Sequence, residues 1–202
     1  MYLICTSAIL LMLLSAQDQE AVISKDAISV HTVERGNMPL RERAKVLISS
    51  LEPPRAVMKL AGDKAERCRP GQSVTIQINP PKVSTGKVVK GSSQDELGRC
   101  GIEFADPLPS STTVGQTYGA LIELGEELKD VVFFSRPADS SPNSVASIFV
   151  LEPGTDFARR VTVRYGKISG PLIQVIDGIS PGDRVIVTDM SKWTKYERVR
   201  LQ

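Results

Sequence analysis

The residues near the C-terminus that best indicate the fold read Ile173-Gln174-Val175-Ile176-Asp177-Gly178-Ile179-Ser180-Pro181-Gly182-Asp183-Arg184-Val185-Ile186-Val187. Pro181 presets φ for the first turn position, Gly182 can take a positive φ after it, and Asp183 can cap the turn. The β-branched runs on either side are typical of strands, and the second run reads as a buried one. The stretch therefore predicts strand, turn and strand, with Pro181, Gly182 and Asp183 as structural turn residues.

The same composition extends outward from this stretch over most of the chain. Short runs of Val, Ile and Thr alternate with breaks of Gly, Pro, Ser and Asp, and few segments after residue 20 have a helical pattern. Residues 73–78 place three apolar side chains on one face, which predicts a strand. Several strands at short spacing favour a small barrel. The sequence thus predicts an all-β protein with few helices.

Two interruptions divide the predicted strands in the first third of the chain. Residues 34–37, Glu-Arg-Gly-Asn, predict a turn between a strand at 27–33 and another at 41–48. Pro53 and Pro54 cannot both sit inside a central ladder, so a connection between domains or subdomains is predicted at residues 51–54.

Composition excludes some function classes and leaves other questions open. The 202 residues carry a net charge of +2 and only 5% aromatic residues, which argues against a nucleic-acid-binding surface. Residues 1–16 are almost wholly apolar but fall short of the roughly 20 residues that span a bilayer, so an export signal and a short uncleaved anchor both fit. Cys68 and Cys100 either pair or remain two half-buried thiols, since spacing alone fixes neither.

The residue types that usually carry chemistry form no recognisable constellation here. His31 is the single histidine and lies in an alternating strand without a partner motif, which predicts a solvent-facing side chain. Asp177 and Asp183 lie beside turns, where carboxylates satisfy backbone donors. Neither a Cys-x-x-Cys pair nor a complete phosphate loop is present. We therefore predict no catalytic residue, no metal site and no cofactor.

Basic and aromatic residues near the C-terminus are the candidate interface. Arg159, Arg160 and Arg164 form either a solvated strand face or a contact with anionic lipid headgroups. Lys192 and Trp193 combine a cation with an aromatic ring, which suits an interface, although packing of Trp193 within its own domain is the ordinary alternative. These five residues are the predicted transporter or membrane contact.

The order of several weak motifs carries a family resemblance. They are Gly71-Gln72-Ser73-Val74, Gly86-Lys87-Val88, Pro107-Leu108-Pro109, and then the membrane-proximal stretches 131–137, 147–150, 161–166 and 178–191. In this order, roughly residues 65–202 resemble the periplasmic adaptor proteins (membrane fusion, or HlyD-like, family) of RND and ABC efflux transporters. The chain departs from that family between residues 40 and 65, which leave no room for the lipoyl-like domain or the helical hairpin.

The resemblance implies an organisation and a role. It implies a signal peptide or short anchor at 1–20, the first strands of a membrane-proximal β-roll at 21–50, a β-barrel at 51–125 and the rest of the β-roll at 126–202. The implied role is a non-enzymatic adaptor in the periplasm, docked on an inner-membrane ABC or RND permease and at the membrane surface, with assembly into a homo-oligomeric ring. Loss of the hairpin argues against direct contact with an outer-membrane channel. The alternative is a free-standing periplasmic module that binds a ligand or glycan.

Overall fold

The computed structural model describes residues 21–60, 66–79, 82–91 and 99–202, and the chain in these ranges is all-β, as predicted. Three-residue 3-10 helices lie at Lys25–Ala27 and Ser191–Trp193. The strands are β1 (Ala21–Ile23), β2 (Val30–Thr32), β3 (Glu34–Leu51), β4 (Pro54–Lys59), β5 (Ser73–Asn79), β6 (Lys82–Lys90), β7 (Cys100–Phe104), β8 (Thr117–Ser135), β9 (Val145–Leu151), β10 (Phe157–Ser169), β11 (Leu172–Asp177), β12 (Arg184–Ile186) and β13 (Arg198–Leu201).

Six strands pair into a closed antiparallel ring, in the order β3, β4, β7, β6, β5, β8 and back to β3. Alternate residues along each strand point inward, because side chains in a strand alternate between its two faces. The fully buried core of the ring includes Val46, Met58, Ile76, Ile102 and Ile122. This ring is the element that corresponds to the predicted small barrel.

The remaining sheet forms the second part of the molecule, which we call the roll. It runs β3, β8, β11, β10, β9, β12 and β2, and its core contains Phe134, Val163, Tyr165, Ile173 and Val185. Because β2 leads into β3 through a single residue, the chain itself brings the two ends of this sheet together. At its start, on the edge opposite β9, β10 pairs antiparallel with β13, and β13 pairs parallel with β1. These strands cover a smaller third core.

Two long strands belong to both the ring and the roll. β3 has 18 residues and β8 has 19, and they pair from Glu34 opposite Phe133 to Leu47 opposite Thr117. The register shifts twice, between Gly36 and Met38 and between Pro39 and Arg41. Extra residues of this kind bend a strand and increase its twist, so they let one ladder serve two separate cores.

The two predicted interruptions do not divide the chain as expected. The turn predicted at residues 34–37 is wrong, because these residues continue β3 and pair with β8. The connection predicted at residues 51–54 is a tight hairpin within the ring, with Leu51 opposite Pro54. β3 and β8 also run through the predicted divisions at 50/51 and 125/126, so the chain passes between ring and roll along continuous strands. The segment predicted at 1–20 lies outside the described residues.

Cys68 and Cys100 form a disulfide, which decides between the two sequence alternatives. Their Cα atoms are 6.6 Å apart, and both residues are buried in the ring core. The bond ties the segment before β5 to the first residue of β7. Cross-links of this kind stabilise a fold mainly by restricting its unfolded chain.

Candidate functional site

The three predicted turn residues form a turn that is anchored to the start of β3. The Asp183 amide donates to the Ser180 carbonyl at 3.1 Å, and Gly182 has φ +94°, which together define a type II turn. The Ser180 amide donates to the Asp183 carboxylate at 2.8 Å. The Gly182 amide donates to the Val33 carbonyl and the Val33 amide donates to the Asp183 carbonyl, both at 2.8 Å. These bonds attach the turn to Val33, the residue between β2 and β3.

The predicted basic stretch is divided between two faces of the sheet. β10 pairs with β9 in continuous register from Ala158 to Arg164, so strict alternation holds over this span. Arg160 and Arg164 therefore share one face, and Arg159 lies on the other. Arg160 is half-buried and pairs with Glu197, while Arg159 and Arg164 are exposed. The structure thus does not bring the three arginines into one patch.

Arg159 instead meets two arginines that sequence reasoning missed. In the β10–β13 register Arg159 lies opposite Arg198, and Phe157 lies opposite Arg200. The guanidinium carbons of Arg198 and Arg200 lie 3.8 and 6.0 Å from the centre of the Phe157 ring, a cation–π arrangement. We call Phe157, Arg159, Arg198 and Arg200 the terminal arginine face.

The charge of the terminal arginine face is only partly neutralised. Arg198 donates to both carboxylate oxygens of Glu152, at 3.1 and 2.5 Å. Neither Arg159 nor Arg200 forms an ion pair within the described ranges. Alternation in a strand over residues 198–201 puts Arg198 and Arg200 on one face, a signal that the sequence-based prediction did not use, but only the pairing with β10 places them beside Arg159.

The other two predicted interface residues lie on a different part of the roll. Trp193 is half-buried and packs on the third core, the arrangement that the sequence left as its ordinary alternative. Lys192 is exposed beside it in the same 3-10 helix. The neighbouring Lys195 places its ammonium 4.9 Å from the centre of the Tyr196 ring.

A cleft of about 520 Å³ lies between the ring and the roll, and no sequence signal indicated it. Its walls come from β3, β8, the loop after β8 and the end of β10. The lining residues are Leu40, Arg41, Glu42, Arg43, Arg67, Leu124, Glu126, Arg136, Pro142, Asn143, Lys167, Ile168 and Gly170. We call this space the junction cleft, and it combines five cationic side chains with two carboxylates.

Two of its arginines are held in place by carboxylates on β8. Arg41 donates from Nε and Nη2 to Glu123 at 3.0 and 2.8 Å, and the two residues face each other in the β3–β8 register. Arg67 donates to Glu126 at 3.0 Å. Fixed in this way, each guanidinium keeps further N–H groups available to an incoming acceptor.

The remaining three cations have no carboxylate partner among the described residues. Arg136 donates to the hydroxyl and the carbonyl of Ser140 at 3.2 and 3.0 Å, which orients its side chain. Arg43 and Lys167 are exposed and form no side-chain ion pair or hydrogen bond there. Even when Glu123 is counted, cations outnumber carboxylates in the junction cleft.

The floor of the cleft is built opposite the second bulge of β8, where Pro39 and Arg41 pair with Glu127 and Glu123. The fully buried Ser169 hydroxyl accepts the Arg41 amide at 2.8 Å and donates to the Pro39 carbonyl. Next to it, Gly170 has φ +56°, and a Cβ at this position would lie 2.9 Å from Leu121 and 3.3 Å from the Arg41 side chain. The hairpin between β10 and β11 is therefore fastened against β3.

The side chains that most often carry chemistry are dispersed. His31 is exposed on the edge strand β2, and the described residues contain no group of three or more His, Cys, Asp or Glu side chains placed to hold a metal ion. Tyr165 is buried in the roll core with its hydroxyl unpaired, and this burial raises its pKa.

Comparison of the sequence with protein-family models and with curated proteins yields no match. The part of the chain that the structure describes contains no helix with both the length and the apolar character needed to cross a membrane.

Proposed function

We propose that this protein is a non-enzymatic adaptor subunit that docks on an inner-membrane efflux transporter of the ABC or RND type. The observation that carries the proposal is the order of the sequence motifs from Gly71 to Ser191, which resembles that of the periplasmic adaptors. An all-β chain in two parts is compatible with this role. The proposal places the protein in the periplasm, associated with the inner membrane.

The shared strands provide a physical means of transmitting movement. At about 3.3 Å per residue, β3 and β8 each extend for roughly 60 Å through both the ring and the roll. A displacement applied to the roll would therefore reach the ring along hydrogen-bonded backbone rather than across a linker. In this proposal the adaptor follows the conformational cycle of a permease without any chemistry of its own.

The terminal arginine face is the surface that we assign to docking. Neither Arg159 nor Arg200 forms a direct ion pair in the described chain. The pKa of the Asp156 carboxyl is lowered mainly by its hydrogen bond from Lys25, and nearby Arg200 adds a weaker attraction. Exposed cations near an anionic leaflet contribute roughly 1 kcal/mol each. Lys192 and Arg164, on other parts of the roll, are secondary candidates. Assembly into a ring of identical subunits is part of the proposal, whereas direct contact with an outer-membrane channel is not.

Crosslinking in native membranes tests this role. The tagged full chain is crosslinked gently, solubilised and purified, and we expect a permease to be recovered with it. The variant carrying Arg159→Glu and Arg200→Glu should recover about tenfold less permease, because reversed charges at an interface repel the partner. A chain recovered alone from crosslinked membranes would refute the docking role.

A charge-matched control separates docking from general electrostatics. Lys45 and Lys59 are exposed and lie opposite each other on β3 and β4, far from the terminal arginine face in the strand order. Lys45→Glu with Lys59→Glu reverses the same amount of charge on the ring. Recovery of permease should stay close to that of the unmodified chain, and an equal loss in both variants would remove the assignment to the terminal arginine face.

A further inference from the structure

The junction cleft has no part in the proposed docking role. That role uses the outer surface of the roll, whereas the cleft lies between the roll and the ring. Its size is within the range of roughly 300–1,000 Å³ that is usual for small-molecule sites. Ligand binding in the cleft does not require docking on a transporter.

Charge is the first observation that points to a ligand class. Arg43 and Lys167 enter the cleft from different parts of the molecule, β3 of the ring and β10 of the roll, and neither meets a carboxylate among the described residues. Cations that converge on a concave surface attract anions, because low-dielectric walls concentrate the electric field there. An anion bound in the cleft would be attracted by both side chains.

Rigidity of the walls is the second observation. Arg41 is held by Glu123, Arg136 is held by Ser140, and the Ser169 hydroxyl fastens the floor to β3. Side chains that are already oriented lose less conformational entropy on binding, so more of the interaction energy is retained as affinity. Guanidinium groups also present paired N–H donors that match carboxylate and phosphate oxygens.

We propose that the junction cleft binds a small organic anion that carries at least two negative charges on phosphate or carboxylate groups. Arg43 and Lys167 supply the uncompensated charge, and Arg41 and Arg136 supply oriented donors. Apolar side chains such as Leu40 and Ile168 also line the cleft and suit a ligand with a carbon skeleton. Binding would join the ring and the roll, because the two cations come from different parts.

The test uses the full chain, kept in a non-ionic detergent, with inorganic pyrophosphate and citrate as probes. Titration calorimetry at constant ionic strength should show saturable binding of at least one probe, and the preferred probe identifies phosphate or carboxylate as the recognised group. Affinity should fall as NaCl is raised, because salt screens exposed charges. Trehalose serves as the uncharged probe and should not bind.

Two double variants locate the binding. Arg43→Gln with Lys167→Gln should weaken binding by about tenfold or more, as expected for the loss of charge-assisted hydrogen bonds. Lys87→Gln with Arg184→Gln removes the same charge from exposed residues on β6 and β12, outside the cleft lining, and should bind like the unmodified chain. Thermal unfolding without probe confirms that both variants are folded.

The outcomes that overturn the proposal are specific. Absence of binding of both probes at millimolar concentration would reject it, as would equal weakening in the two double variants. Tight binding of a polyglutamate peptide by a chain that fails to bind pyrophosphate and citrate would reject the small-anion class. Loss of permease recovery in the docking experiment would leave this proposal unaffected, since calorimetry requires no transporter.

Discussion

Two buried hydroxyl groups show how local context decides the contribution of a single polar atom. The Ser169 hydroxyl bonds to the Arg41 amide and the Pro39 carbonyl of β3, opposite the second bulge of β8. Tyr165 lies at the centre of the roll, and its hydroxyl has no partner there. Burial without a hydrogen bond costs free energy, whereas a satisfied buried hydroxyl stabilises the fold.

Replacing Tyr165 with Phe tests the consequence of the unpaired hydroxyl. At pH 8 the free energy of unfolding should be unchanged or higher by up to about 1 kcal/mol, because the desolvation cost disappears. Burial raises the Tyr165 pKa above its usual value of 10.0, so above about pH 10 the unfolded chain loses a proton that the folded chain retains. Stability should therefore decline above pH 10, and less steeply in Tyr165→Phe. Urea unfolding from pH 8 to 11 measures both effects.

The control for this pH dependence is Tyr196→Phe, a change at a half-exposed tyrosine of the third core. It should retain the alkaline decline of the unmodified chain. A decline in Tyr165→Phe that is as steep as in the unmodified chain would contradict the assignment to Tyr165.

Ser169→Ala should destabilise the junction between ring and roll. It leaves the Pro39 carbonyl and the Arg41 amide without their partner, which costs about 2–3 kcal/mol in a fully buried position. Ser147→Ala, on the exposed face of β9, should change the free energy of unfolding by less than about 0.5 kcal/mol. Chemical denaturation of both variants makes the comparison, and equal stability would show that the hydroxyl does not fasten this junction.

Two positive-φ glycines, one inside β8 and one after β11, are needed for different reasons. Gly125 and Gly178 both have positive φ, at +73° and +107°. A Cβ on Gly125 would meet open space, whereas one on Gly178 would lie 2.2 Å from the Thr162 carbonyl oxygen of β10. The first position needs glycine for its backbone conformation alone, and the second also needs it because the chain after β11 crosses close over β10.

Alanine at these two positions separates strain from steric overlap. Gly125→Ala should cost about 1–2 kcal/mol, the penalty of a positive φ for a residue with a Cβ. Gly178→Ala should cost roughly 3 kcal/mol or more, because the neighbouring backbone must also move. Thermal or urea unfolding of the two variants gives the difference, and a Gly178 variant no less stable than the Gly125 variant would contradict this packing.

Continuity of β3 and β8 makes the ring and the roll one structural unit. The ladder between them extends from Glu34 to Leu47 on β3, with Met38 fully buried between the two register shifts. Neither part retains a complete sheet if the other unfolds, because each uses a segment of the same two strands. We therefore expect cooperative unfolding of the described chain.

A substitution in the ring, followed by a fluorescence signal from the roll, tests this cooperativity. Ile122 is fully buried in the ring, and Ile122→Ala should lower the free energy of unfolding by about 2–5 kcal/mol. Trp193, the single tryptophan of the chain, packs on the third core and reports that region by fluorescence. In Ile122→Ala, the urea midpoint measured by Trp193 fluorescence should fall by the same amount as the midpoint measured by far-ultraviolet circular dichroism. Two separate transitions would show that ring and roll unfold independently.

Local signals in the sequence predicted much of the fold but little of the candidate sites. Residues 73–78 and the Pro181-Gly182-Asp183 turn follow from alternation and turn chemistry, which act over a few neighbouring residues. Glu34–Asn37 was misassigned because turn-forming residues inside a long strand resemble a turn when the partner strand, here the twice-bulged β8, is unknown. The junction cleft combines residues more than 100 positions apart in sequence, and no local pattern relates them.

The sequence by itself determined an all-β chain, its main turns and a C-terminal region rich in exposed cations, because these properties depend on side-chain type and short-range alternation. Only the tertiary structure decided that Arg159 faces away from Arg160 and joins Arg198 and Arg200, and that Cys68 pairs with Cys100. It also decided that β3 and β8 serve two cores. The physical reason is that strand pairing is a long-range choice, made by the burial of complementary faces rather than by neighbouring residues.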